Sequence, residues 1–448
     1  MTINNKIIAF FWLLVFTHIY VQAQDTFTID EAVDYALNNA SAAKNAVLDI
    51  KAAEKKKWET TTMGLPQINA SVDYQNFIKQ AVSLLPAEIF GGPPGAFAEV
   101  SFGTKQNINA SATLSQLLFD GSYLVGLQSA KVYLKISELA KIKTEQAIRE
   151  AVINAYGNVL LSNESILILK NNLLILDKNV HDTQQLINEG LAEEQDVEQL
   201  KITQSNIKNQ LNRANRLVSI SKKMLKLTMG IAIEKPITLT ENLESLASKN
   251  TDLALYNVDF NIDNHIDYKI AKNALKSKEL LMKYEKSKYL PTLSTFINYG
   301  VTANNDKFKF ANSNQKWFGS SLFGVSLNVP IFSSFRRDAK VQQAKIALNQ
   351  SKTDLNETSQ KLKLAVASAK TNYQFAIDNY HTSKENLALA KKIEHKEQIK
   401  YAEGIGSSFN LSTAQNQLYT SQQNYLQTIV DIINTKVKLE NTLNNNKE

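Results

Sequence analysis

Five histidines, five methionines and no cysteine bound the metal and redox chemistry open to this chain of 448 residues. Without cysteine there is no disulfide, no thiolate metal site and no lipidated N-terminal cysteine. The histidines are His18, His181, His265, His381 and His395. His381 and His395 fit on one helix face, but about four turns separate them, too far for shared metal ligation. The sequence has no phosphate-cradling glycine loop, His-Glu zinc motif or nucleophile elbow. Carboxylates interleave with lysines as on solvated helix faces. The net charge of +7 is spread through these mixtures rather than gathered into the basic patch that nucleic acid requires. These residues point away from an enzyme, a cofactor, a metal or a nucleic-acid partner, so the long elements carrying them must hold the function.

The N-terminus indicates export. Lys6 precedes an apolar run from Ile7 to Phe16, and Val21-Gln22-Ala23 offers small residues for cleavage after Ala23. A run of about ten residues is too short to span a bilayer as a helix, which takes roughly 20. No later stretch reads as a transmembrane helix, so any further insertion is expected to use strands.

Proline and glycine divide the rest. All seven prolines lie at 66, 86, 93, 94, 236, 291 and 330. Proline inside a helix costs about 3 kcal/mol and glycine about 1, so the long intervals lacking them permit very long helices. Positions 148, 152, 155, 159, 162, 166, 169, 173, 176, 180, 183 and 187 step by threes and fours, and ten of the twelve are apolar. A seam of period 3.5 predicts coiled-coil packing. A helix from Tyr123 to Asn188 would be roughly 100 Å long at 1.5 Å per residue. A second seam follows through Val197, Leu200, Gln204, Ile207, Leu211, Ala214, Val218 and Leu225. Asn188-Glu189-Gly190 reads as the turn between them, with glycine accepting the left-handed conformation.

Near the prolines the period falls to two. Ile68, Ala70, Val72 and Tyr74 alternate with polar residues over 67–75, and Ile108, Ala110, Ala112 and Leu114 do so over 107–115. Phe323, Val325, Leu327, Val329 and Ile331 share one side of 321–331. Over 292–301 the alternation is poorer, with Leu293, Ile297, Tyr299 and Val301 on one side. One apolar and one polar face fit either a half-buried soluble sheet or a barrel wall between lipid and water. Strands of about nine to eleven residues suit the wall. Four strands cannot close a barrel, for which about eight is the practical minimum, so a membrane reading requires an oligomer.

The pattern occurs twice. Leu65-Pro66 and Leu290-Pro291 open the strand pairs, and Phe119 and Phe332 end them. Glu189-Gly190-Leu191 and Glu403-Gly404-Ile405 mark the helix turns. The first strand connection, roughly 79–105, is longer than its counterpart and reads as a partly apolar outer loop. A duplicated helix–strand–strand–hairpin unit accounts for the recurrence.

These residues resemble the TolC-like outer-membrane factors, the outer-membrane efflux protein family. Thr28-Ile29-Asp30-Glu31-Ala32 resembles the family's opening helix, and it is also a capping box. Leu290-Pro291-Thr292-Leu293-Ser294 and Pro330-Ile331-Phe332 resemble its strand starts and ends. Gly190-Leu191 followed by Asp196-Val197, and Gly404-Ile405 followed by Asn410-Leu411, resemble its paired periplasmic turns.

The resemblance implies a mainly α protein with membrane β. Duplicated long antiparallel coiled-coil hairpins would form an α-barrel tunnel, and four strands per chain would join a trimeric twelve-stranded outer-membrane barrel. Its expected place is the outer membrane of a Gram-negative bacterium, with a large periplasmic portion. The implied function is a passive exit channel of a tripartite efflux pump or type I secretion system. Its partners would be two further copies, a periplasmic adaptor, an inner-membrane transporter and outer-membrane lipid. Gly190, Leu191, Gly404 and Ile405 are the expected adaptor-contact tips. Asp196, Asn410 and Thr413 are the expected periplasmic entrance, although Asn410 and Thr413 replace the acidic rings of some family members. Asn69, Ser71, Asp73, Asn109, Ser111, Thr113, Ser326 and Asn328 are the expected lumen-facing residues.

In chain order the expected parts are a signal peptide (1–23), an N-terminal helical region (24–65), the first strand pair (66–119) and the first hairpin (120–235, tip near 188–194). A connector (236–263), a second-repeat helix (264–290), the second strand pair (291–332) and the second hairpin with the C-terminus (333–448, tip near 402–408) follow. The rival expectation is a periplasmic coiled-coil adaptor or stalk with a soluble β-domain.

Overall fold

The computed structural model describes residues 25–251 and 253–444; the signal-peptide expectation lies outside them. The chain opens with β1 (Asp25–Phe27), α1 (Ile29–Asn39) and α2 (Ser41–Thr62). Strand β2 (Gln67–Asn76), the short strands β3 (Val82–Pro86) and β4 (Phe97–Ser101), and β5 (Gln106–Asp120) follow. The first long hairpin is α3 (Gly121–Asn188) and α4 (Glu194–Met229). After β6 (Ile237–Leu239), α5 (Leu243–Asn250) and α6 (Ile266–Ser287) come β7 (Thr292–Asn305) and β8 (Trp317–Asn328). The second hairpin is α7 (Arg336–Ala402) and α8 (Ser408–Leu443).

The expected capping box is formed at α1. Glu31 N donates to Thr28 Oγ1 at 3.3 Å, and Thr28 N donates to Glu31 Oε2 at 2.8 Å. Hydrogen bonding to Thr28 holds the Glu31 carboxyl below its ordinary value. The connection expected as a loop at 79–105 is more ordered than its sequence suggests. β3 and β4 pair as an antiparallel hairpin around a short 3-10 turn, Ala87–Phe90. The last strand also differs from its expected span. β8 starts earlier and stops at Asn328, because Pro330 has no N–H to extend a ladder.

The chain forms two compact units, neither continuous in sequence. Among the described residues, one comprises those up to Val47, those within Ala140–Tyr268 and those from Ser359 onward; the other comprises Leu48–Leu139 and Lys269–Thr358.

The first unit is helical and has its own core. Tyr156, Tyr373, Leu225, Met229, Leu243, Leu246, Ile429 and Ile432 are fully buried there. Its two central tyrosines keep polar partners. Tyr156 donates to Phe27 O at 2.9 Å and Tyr373 to Asn250 O at 2.8 Å. Burial pushes the Tyr156 hydroxyl up to about 12. A second cluster joins Leu169, Leu176, Ile207, Ala214, Leu418 and Tyr419.

The α3 seam differs from the period-based expectation. Leu169, Leu176 and Thr183 are buried as expected, but their companions are Ser165, Asn172 and Asn179 rather than the half-buried Ile166, Leu173 and Val180. Part of α3 is strongly apolar. By length and composition it would pass for a membrane span, contrary to the expectation from the sequence. Yet Ile153, Tyr156, Val159 and Leu160 of this helix pack into the helical core.

The second unit contains a four-stranded antiparallel sheet in the order β2-β5-β7-β8. Pairing runs from Gln67↔Ser115 to Asn76↔Gln106, then across β5 and β7, and from Thr292↔Asn328 to Ala303↔Trp317. A bulge between Leu117 and Phe119 interrupts β5 near its end.

Candidate functional site

Register assigns each side chain of the sheet to a face, since neighbours in a strand alternate. Asn69 pairs with Thr113, which pairs with Asn298; Ser71 pairs with Ser111, and Asp73 with Asn109. Ser326 pairs with Ser294 and Asn328 with Thr292. All eight residues expected to face a lumen therefore share one face. Asn298 Nδ2 donates to Thr113 Oγ1 at 2.7 Å, the Ser71 and Ser111 hydroxyls lie 3.2 Å apart, and Thr302 Oγ1 donates to Asn109 Oδ1. Asn107 Nδ2 donates to Gln75 Oε1 at 3.3 Å. The result is a polar ladder across three strands.

Alternation in the sequence does not reveal Asn298 and Thr302, because the pattern in β7 is broken by Phe296 on the polar side. Phe296 lies over Gly324, where a Cβ would stand 2.5 Å from the ring. Gly324 thus marks a cross-strand aromatic contact, a signal visible only once the two strands are paired.

The opposite face carries Ile68, Val72, Ile297, Tyr299, Phe323 and Val325. Phe308 and Phe310 pack on Tyr74 and leave Ala303 buried at one end of it, but over the rest Ile68 is 74% and Phe323 67% exposed. Each outer strand has one neighbour, so β2 and β8 both present unpaired edges among the described residues. A soluble half-buried sheet would have its apolar face packed against helices. This sheet does not.

The turns of the two hairpins share one backbone. Gly190 and Gly404 have φ of 74° and 73°, and a Cβ at either would meet nothing within 4 Å, so the conformation alone requires glycine. Leu191 N donates to Leu186 O at 2.8 Å, and Ile405 N donates to Lys400 O at 3.0 Å. Leu191 and Ile405 are 72% and 77% exposed. Phe409, which no sequence pattern singles out, is exposed beside the second turn.

Asp196 Oδ2 accepts from Glu193 N at 3.2 Å, which caps its own helix. At the other turn Ser407 Oγ accepts from Asn410 N at 3.2 Å. Thr413 is exposed and donates to Phe409 O at 2.8 Å. Polar bonds link the two hairpins: Ser165 with Gln423 (3.1 Å), Asn172 with Gln422 (2.9 Å), Thr183 with Tyr401 (2.8 Å) and Thr203 with Ser412 (2.7 Å). Beside them, burial raises the Glu394 carboxyl above its usual value, with Gln415 pulling it the other way.

Two histidines have packing partners. His265 is buried, its Nδ1 accepts from Asp267 N at 3.1 Å, and burial lowers its pKa. His381 packs edge-on to the Tyr380 ring.

A sheet polar on one face, mostly uncovered on the other and open at both edges among the described residues, in a chain that also carries paired helical hairpins, is the arrangement that the outer-membrane factor resemblance implies. Residues 264–445 match the outer membrane efflux protein family. The outer membrane efflux protein BepC of Brucella suis biovar 1 (strain 1330) is 22% identical over 326 residues, 71% of this chain and 68% of that protein. Among solved structures, CusC superposes with a TM-score of 0.73 at 18% identity, covering 93% of this chain and 91% of CusC. The CmeC outer membrane channel of Campylobacter jejuni gives 0.72 at 15%, covering 93% and 85%. The second part of the chain thus matches the family that the motifs resemble, and the fold of the whole is that of the outer-membrane channels CusC and CmeC.

Proposed function

We propose that the chain is the passive exit duct of a tripartite efflux pump or type I secretion system, working as a homotrimer. The observation that carries this reading is the sheet, whose apolar face is mostly uncovered and whose two edges have no partner strand among the described residues. An open edge is not tolerated in lipid. Pairing β8 of one copy with β2 of the next would satisfy both edges, and three copies would give twelve strands, enough to enclose a water-filled lumen. Asn69, Ser71, Asp73, Asn109, Ser111, Thr113, Ser326 and Asn328 would then line it. Gly190, Leu191, Gly404 and Ile405 would meet a periplasmic adaptor, and Asp196, Asn410 and Thr413 would flank the entrance. An inner-membrane transporter would supply the energy, since this chain offers no nucleotide-binding motif.

The test is purification in detergent followed by planar-bilayer recording. The expected result is a heat-sensitive trimer with discrete conductance steps. A monomer that stays soluble without detergent and never conducts would support the rival coiled-coil stalk instead.

A further inference from the structure

The two strand-to-helix junctions of the sheet unit are built differently. At Phe119-Asp120-Gly121-Ser122 a carboxylate caps the helix: Asp120 Oδ1 accepts from Ser122 N at 2.6 Å and from Tyr123 N at 3.2 Å. At Phe332-Ser333-Ser334-Phe335 there is no carboxylate, and two successive residues with side chains adopt left-handed backbone, Ser334 at φ 47° and Phe335 at φ 58°. Such conformations persist where the surroundings impose them and cluster at functional positions. Here the bend leaves Phe335 76% exposed, edge-on to Phe332 at 5.9 Å, next to Ile331 at 91% exposed.

Arg336 and Arg337 follow this apolar point directly in the chain, and Lys286 lies three residues before Tyr289, the ring that Arg337 covers. The Arg336 guanidinium and the Lys286 ammonium have no ion pair among the described residues. Arg337 donates to Pro330 O at 3.0 Å and lies over the Tyr289 ring at 5.2 Å, and its Nε is buried without a partner. The nearby Glu285 is already engaged by Lys288 at 2.9 Å.

We propose that this corner is a lipid anchor selective for anionic glycerophospholipids. Ile331, Phe332 and Phe335 enter the acyl region at the helix-joined ends of the strands, while Arg336 and Lys286 hold headgroup phosphate oxygens. The inference rests on the sheet being a membrane wall. Charge selects lipid over a second copy as the occupant. Another copy would bring the same cationic end, whereas an anionic leaflet supplies the missing acceptors, and aromatic and basic side chains suit a boundary apolar on one side and wet on the other.

The full chain carrying Phe335→Trp, with Trp12→Phe, Trp58→Phe and Trp317→Phe, is reconstituted into phosphatidylethanolamine vesicles brominated near the headgroup, with and without phosphatidylglycerol. Conductance is recorded on the same preparation. Strong quenching of the introduced indole is expected, together with a higher oligomer melting temperature in phosphatidylglycerol that Arg336→Gln with Lys286→Gln abolishes. Ser334→Gly relaxes the bend without removing the ring, and it should retain the lipid preference. Channels that conduct normally without quenching would place Phe335 against protein or water and overturn the anchor while leaving the duct standing. Conducting channels whose melting temperature ignores phosphatidylglycerol would overturn the headgroup selectivity. Vesicles in which even the unmodified chain fails to insert or conduct would overturn the membrane-wall reading and the anchor with it.

Discussion

Leu176, Leu225 and Ile429 in the helical unit have lost almost all contact with solvent, whereas Ile68, Val72 and Phe323 in the sheet unit are largely uncovered. The residue types are alike. The difference lies in what surrounds them: helices supply the first group with neighbours from their own chain, and a four-stranded sheet open at both edges supplies the second with none. Apolar burial is worth about 25 cal/mol per Å². The helical core collects that stabilisation within its own chain; under the proposed duct, the apolar sheet face would collect it from lipid. Substitutions should therefore act on different observables in the two units.

The largest effect is expected in the helical core. Leu176→Ala should cost about 2–5 kcal/mol, read as a shifted urea unfolding curve of the helical circular dichroism, in detergent and in lipid alike. A shift seen in only one medium would break the distinction. Next come adjacent residues on opposite sheet faces. Val325→Arg should cost about 2–4 kcal/mol in lipid and remove the oligomer band on unheated gels. Ser326→Arg should retain that band and change single-channel conductance. Equal assembly defects in the two variants would sink the assignment of faces.

A smaller and paired effect is expected at the turns. Because Gly190 and Gly404 share a left-handed backbone with open space around it, Gly190→Ala and Gly404→Ala should each cost about 1 kcal/mol. Unequal costs would show that one turn has a partner the other lacks.

The smallest effect depends on pH. The Glu394 carboxyl is raised by burial, so the folded chain holds a proton more tightly than the unfolded chain. Stability from this group is complete below the ordinary value of 4.5 and is lost as pH climbs through the raised one. Glu394→Gln should thus match the parent chain in acid and exceed it at neutral pH, as thermal melts at both pH values would reveal. A greater gain in acid would reverse the sign and contradict the burial.

Much of this was legible in particular residues. Thr28 and Glu31 announce a helix start. Gly190 and Gly404, each flanked by long proline-free runs, announce two matching turns. The α3 seam shows where such reading stops. Period alone favoured Ile166, Leu173 and Val180, while the folded chain buries Ser165, Asn172 and Asn179, because α3 meets a second hairpin that supplies Gln422 and Gln423 as partners. A one-residue choice between adjacent faces cannot be made without knowing the neighbours. The β3–β4 hairpin escaped for a related reason. Two five-residue strands broken by glycines and prolines carry too few alternations to register.

Local chemistry written in the chain determined which segments are helix or strand, where they turn, and that the pattern is duplicated. Periodicity and backbone preference act over a few residues and need no partner to be expressed. Tertiary structure decided the strand order, the unsupported face, the polar bonds between hairpins and the left-handed bend at Ser334 and Phe335. Those features depend on which distant segments meet and which surfaces meet nothing, and contacts between residues hundreds of positions apart leave no short-range signature.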